Sequence, residues 1–161
     1  MFLIPYKKRL IYTVKGDVHW AVVKLCEHLV SGLERKGMRK VAIDNECIRF
    51  TEGLGKFMLP ILDGKIMLHC HNDRLEVAYQ ISFIKVYLMS LLIMGLAVPV
   101  FFPYPNALEI LIWLFCFAVL MGAVGIILTV NDFNYFMKDC LREFFNSASS
   151  FGVYGELITS R

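Results

Sequence analysis

His69, Cys70 and His71, with Asp73 two residues on, form the densest group of possible metal ligands in the chain. Imidazole nitrogen and thiolate sulfur are donors that zinc favours, and a structural site needs several of them converging on one point. The local pattern works against convergence. Residues 65–71 read as a strand, where successive side chains face opposite sides, so His69 and His71 share a face and Cys70 takes the other. The two histidines are candidates for half a zinc site, completed by His19 or His28, against the simpler reading of solvated positions beside a turn. No cofactor is implied.

Nucleophilic chemistry has as little to stand on. The five cysteines, Cys26, Cys47, Cys70, Cys116 and Cys140, are odd in number and include no CxxC pair, so free thiols are expected. A reactive cysteine needs an electropositive setting and an oriented base, and no spacing marks Cys26 or Cys47 with either. GxSxG, P-loop, dinucleotide and HExxH signatures are absent, and Gly53-Leu54-Gly55-Lys56 lacks the length and the Ser/Thr of a phosphate loop. No catalytic residue is named by these patterns, and a non-enzymatic role is the expectation.

The elements that would position such groups fall into two textures. In residues 1–81, Leu10 to Val14 reads as a strand, and a helix starts at Gly16 or Asp17. Val18, Val22, Leu25, Leu29 and Leu33 recur at three- and four-residue spacings, which gives that helix one apolar stripe before Gly37 ends it. Short β-runs follow at 41–43 and 47–51, then 58–62 and 65–71 flanking Asp63-Gly64, a pair suited to a two-residue hairpin turn. Asn72-Asp73 turns the chain into an alternating run of Leu75, Val77, Tyr79 and Ile81. Strand, helix and antiparallel meander are predicted.

Beyond residue 81 the chain becomes greasy. Overall it is 57% hydrophobic over 161 residues with mean hydropathy +0.57, more apolar surface than a water-soluble domain of this size buries easily. Residues 86–102 hold 17 uncharged positions and residues 110–130 hold 21. A hydrocarbon core of roughly 30 Å takes about 20 helical residues, so the first run is at the lower limit and the second is full length. Two transmembrane helices, 82–103 and 110–130, are predicted around a short extracytoplasmic loop, 104–109, and the connection from Pro103 to Glu109 carries two prolines and no Lys or Arg. Basic residues lie on the other side, including Lys7, Lys8, Arg9, Lys15, Lys138 and Arg142, which places both termini in the cytoplasm. A bacterial inner membrane is the expected setting. The opening MFLIP is too short for a signal-peptide core and its charges come after it.

After the second span, Phe133, Phe136, Met137, Leu141, Phe144 and Phe145 recur with helical spacing beside charged neighbours, an amphipathic helix read as a continuation of the span that emerges and packs on protein, in preference to one lying in the interface. Residues 131–161 are assigned to it and a tail, whose FGVYGELIT has the makings of a strand. Within the spans, Gly95, Ala118, Gly122 and Gly125 are candidates for close helix–helix packing. Trp20, Phe133, Phe136 and Phe144 are candidates for contact with a partner or the membrane surface. The fold class expected is therefore an α+β membrane protein: a β-α-β-meander domain, a two-helix transmembrane hairpin and a C-terminal amphipathic helix.

A net charge of +3 argues for no nucleic-acid partner. The partners expected are the lipid bilayer and either further copies of the chain or another membrane protein, with the cytoplasmic domain mediating protein contacts. An oligomeric pore or membrane-perturbing effector is the alternative, and a membrane-tethered enzyme or metal-binding domain a second.

Overall fold

Alternation decides which side of the sheet is buried. The computed structural model describes residues 5–44, 47–52, 63–84, 91–92, 95–96 and 106–160. In β1 (Tyr6–Lys15) Leu10, Tyr12 and Val14 are buried while Arg9, Ile11 and Thr13 point the other way. β5 (Arg74–Ser82) repeats the pattern with Leu75, Val77, Tyr79 and Ile81, and β4 (Asp63–His71) with Ile66 and Leu68. β3 (Cys47–Glu52) adds Ile48 and Phe50 to the same face. Each strand thus gives one apolar face and one polar face, and needs a single covering layer.

β2 (Met38–Asp44) and β6 (Tyr154–Ser160) complete a six-stranded sheet in the order β2-β3-β4-β5-β1-β6. Every neighbouring pair is antiparallel. Strand β1 pairs with β5 on one side and with β6, the most C-terminal strand described, on the other, so the first and last described strands belong to one sheet.

Two helices cover the apolar face. α1 (Val18–Arg35) opens at Asp17, whose carboxylate accepts from the Trp20 N–H at 3.0 Å, and closes at Gly37 with φ +86°. It buries Ala21, Val22, Leu25, Leu29 and Leu33. α2 (Ala107–Ala148) runs 42 residues, about 63 Å at ~1.5 Å per residue, and passes into a 3-10 turn, Ser149–Phe151. Its C-terminal third is domain core: Phe133, Met137, Leu141, Phe144, Phe145 and Ala148 are buried. Phe133 stacks on Phe50 with ring centroids 5.4 Å apart, and Phe145 lies on Tyr12 at 5.1 Å. The N-terminal half is the opposite: Leu108, Ile112, Trp113, Phe115, Phe117, Leu120, Ile127 and Leu128 are all more than half exposed.

Glycine settles two of these contacts. The Phe50 ring lies over Gly64 and the Phe145 ring over Gly155, so closely that a methyl group at either position would overlap the ring.

The expected two-helix transmembrane hairpin is corrected. Among the described residues one helix, Leu108–Phe151, is long and apolar enough to cross a membrane, and only 6% of its most apolar 18-residue window is buried in the protein. The first predicted span had just 17 uncharged residues, interrupted by Gly95 and Pro99, and most of it lies outside the described residues. The C-terminal amphipathic helix continues the second span, as its reading as an emerging continuation has it: it is the far end of α2, and the tail after it supplies β6. Asp63-Gly64 is not a turn either: Thr51 pairs with Asp63 and Phe50 with Gly64 inside the β3–β4 ladder. That glycine serves ring packing in place of a turn. The run 58–62 lies outside the described residues.

Candidate functional site

The histidine candidates are kept apart by the sheet. His69 and His71 are exposed on the polar face of β4, opposite Glu76 and Arg74 of β5. Glu76 is held by Arg9 at 2.8 Å. His19 and His28 belong to α1, on the other side of the sheet, so neither completes a cluster with them. Among the described residues no three of His, Cys, Asp and Glu gather closely enough to hold a metal ion.

His28 stands instead in a groove of about 450 Å³ along the α1–α2 seam, with Trp20, Lys24, Phe144 and Phe151 around it. Trp20 and Phe151 rings are 5.5 Å apart at its edge, and the His28 ring is 6.1 Å from Phe144. The His28 Nε2 is buried without a hydrogen-bond partner, 3.9 Å from the Glu143 carboxylate. Of the aromatic contact candidates, Trp20 is half-buried, Phe136 is half-buried beneath Lys36 at 5.4 Å, and Phe133 and Phe144 are core. Two of the four are thereby unavailable to a partner, because α2 turns its aromatic side onto the sheet.

On the same seam Gly32 lets α2 approach: a Cβ there would lie 3.0 Å from the Cys140 Sγ. Burial, with Glu143 adding to it, pushes the Cys140 thiol up to about 11. Little thiolate forms there near neutral pH, and thiolate is the reactive species. Iodoacetamide at about pH 8 should therefore label exposed Cys70 well before Cys140, whose labelling should wait for unfolding. Mass mapping of the modified peptides checks this, and equal rates would contradict it.

Among the small residues proposed for helix packing, Gly95 and Gly122 have open space where a side chain would stand, Ala118 is half-buried and Gly125 is buried. The Thr129 hydroxyl donates to the Gly125 carbonyl at 2.8 Å.

Two features were not singled out in the sequence. The first is the edge of the sheet at β6, which no other strand among the described residues pairs with on its outer side and where Tyr154, Leu157 and Ile158 are 55%, 46% and 52% exposed. The opposite edge, β2, is guarded differently: it carries Arg39 and Lys40, its register shifts between Arg39 and Ala42, and Lys40 is left-handed at φ +51°. A bulge and basic side chains blunt an edge against further pairing, and β6 has neither on its open side. The register shift in β6 lies where it meets β1.

The second is a basic row. The ladders place Arg49, Lys65, Gln80 and Lys7 side by side across β3, β4, β5 and β1 on the polar face. It lies at the end of the sheet where α2 leaves the domain. There Asp132 meets Lys36 at 2.9 Å, and the Tyr6 and Tyr79 hydroxyls donate to the Asn134 side-chain oxygen. Burial, then the neighbouring Tyr6 and Tyr12, raise the Tyr79 phenol far above its ordinary range, so it stays a donor.

Comparison of the chain with protein-family models, with curated proteins and with solved structures finds no match in any of the three.

Proposed function

We propose that this chain is a membrane-anchored, non-enzymatic domain that holds another polypeptide at the cytoplasmic surface. The apolar half of α2 is the anchor, and the sheet with α1 is the part that makes contacts. Because α2 continues unbroken into the domain core, the domain is held in a fixed attitude to the bilayer.

The observation that carries the contact role is the β6 edge. A free strand edge presents unpaired N–H and C=O groups, and what fits them is an extended backbone. Tyr154, Leu157 and Ile158 give that backbone apolar neighbours. An antiparallel pairing of β6 with β6 of a second copy would turn α2 end for end, which two copies sharing one bilayer side cannot satisfy. An extended segment of a different protein is the occupant that fits.

The test is native mass analysis of the full chain extracted from its own membranes in mild detergent. A second polypeptide at fixed stoichiometry is expected, lost when Leu157→Lys and Ile158→Lys guard the edge, and kept when Ile43→Lys adds a charge at β2. Extraction of the unaltered chain as a bare monomer would remove the contact reading. Loss of the partner from all variants alike would remove β6 as its site.

A further inference from the structure

We infer that the end of the domain from which α2 emerges docks on anionic phospholipid headgroups through Lys7, Lys8 and Lys65. The inference rests on the reading of α2 as a membrane anchor and names what the domain meets when it gets there.

The geometry fixes which end faces the bilayer. Running backwards along α2, Phe145 lies over Tyr12 and Gly155, Phe133 over Phe50 and Tyr79, and Asn134 against Tyr6. The helix thus descends along β1 from Tyr12 towards Tyr6 and leaves the sheet at the Tyr6 end. Its next residues outward are the exposed apolar ones. Tyr6 pairs with Ile81, Ile81 with Gly64 and Gly64 with Phe50, so these four form one row near the membrane-facing end, with Ser82, Asp63 and Thr51 paired beyond it.

The row immediately behind it is Lys7, Gln80, Lys65 and Arg49. Lys7 and Lys65 are on the polar face, and Lys8, the next residue, alternates to the helix side beside the point of exit. These three lysines make no ion pair with any described carboxylate. Of the charges nearby, Arg49 has Asp44 at 3.6 Å, Lys36 has Asp132 at 2.9 Å, Asp63 has a partner of its own, and Glu52 ends β3 on the same side. At the far end of the sheet the signs are mixed, with Lys15 and Arg74 beside Asp17, Asp73 and Glu156. Unneutralised positive charge is therefore gathered at the one end that an apolar helix carries towards lipid. Lysine stems of this kind reach outward while their ammonium groups stay in the headgroup layer.

Charge complementarity selects the occupant, since the inner-leaflet surface carries anionic lipid and attracts basic residues lying within a Debye length of it. The full chain is placed in nanodiscs of phosphatidylcholine, alone or with about a third phosphatidylglycerol, and amide hydrogen exchange is followed around Lys7 and Lys65. Exchange there should slow with phosphatidylglycerol by roughly five-fold for each lysine engaged. The slowing should vanish in about 0.5 M salt, and in the Lys7→Gln, Lys65→Gln double variant, while Lys15→Gln keeps it. Equal exchange in both lipid mixtures, or slowing that survives the double variant, would overturn the inference and leave the anchor standing. If the chain never enters the nanodisc, the anchor reading fails and takes this inference with it.

Discussion

Leu120→Arg combined with Val124→Arg should move the chain out of alkali-washed membranes while its domain stays folded. Residues 110–130 contain thirteen Leu, Ile, Val and Phe side chains, which together favour insertion by about 4–8 kcal/mol at ~0.3–0.6 kcal/mol each. Arginine at the centre of a span costs about 2.5–3.5 kcal/mol. One such residue would leave a favourable balance, and two bring it to zero or beyond. Leu120 is 62% and Val124 45% exposed, and neither touches the sheet-covering end of α2. Were this half of the helix bathed in water, both would be surface substitutions worth no more than about 0.5 kcal/mol each, and fractionation would not change. The measurement is the share of chain retained in the washed membrane pellet. Retention equal to that of the unaltered protein, or recovery of the unaltered protein as a detergent-free monomer, would refute the anchor.

Hydrophobic periodicity made the local elements readable but not their assembly. The α1 stripe was plain because Val22, Leu25, Leu29 and Leu33 return every three or four residues, and the structure buries them together. Asn72 sits left-handed at φ +52° in the β4–β5 turn, as a short polar residue in that place announces. Gly64 misled for a physical reason. Glycine after aspartate has the same appearance whether it frees φ in a turn or vacates space for a ring, and only Phe50, fourteen positions earlier, tells the two apart. The hairpin misled because hydropathy measures what a segment would tolerate, and the seventeen uncharged residues of 86–102 satisfy that test only at its margin.

The candidate surfaces were harder still, because they are products of register. Lys7, Arg49 and Lys65 are far apart in sequence and come into one row only through three ladders. The alternating residues of the tail could be read as a strand, yet nothing local says that it pairs with β1 and becomes an edge. Aromatic spacing in 133–145 favoured a helix packed on protein but also allowed one on the membrane surface. The sheet decides, since among the described residues α1 and α2 are the helices that cover its apolar face.

That decision has a measurable consequence at Leu141. The side chain is fully buried between α2 and the sheet, in company with Met137 and Phe145. Leu141→Ala removes the buried methyl groups and leaves a cavity that the long, continuous helix cannot collapse to fill, so a cost of about 2–5 kcal/mol is expected. A cost of that size is a large fraction of a small domain's stability. Denaturant unfolding of the full chain in detergent, followed through Trp20, should show the midpoint fall sharply, while the share of chain in washed membranes stays as it was. A helix lying in the headgroup layer makes the contrary forecast: its Leu141 would contribute membrane affinity, and truncating it would loosen attachment with little change in the unfolding of the sheet. The two observables separate a core residue from a surface anchor at one position. Sharp destabilisation with intact anchoring means that α2 has two halves with different solvents, lipid for residues 108–130 and the domain's own sheet for residues 133–148.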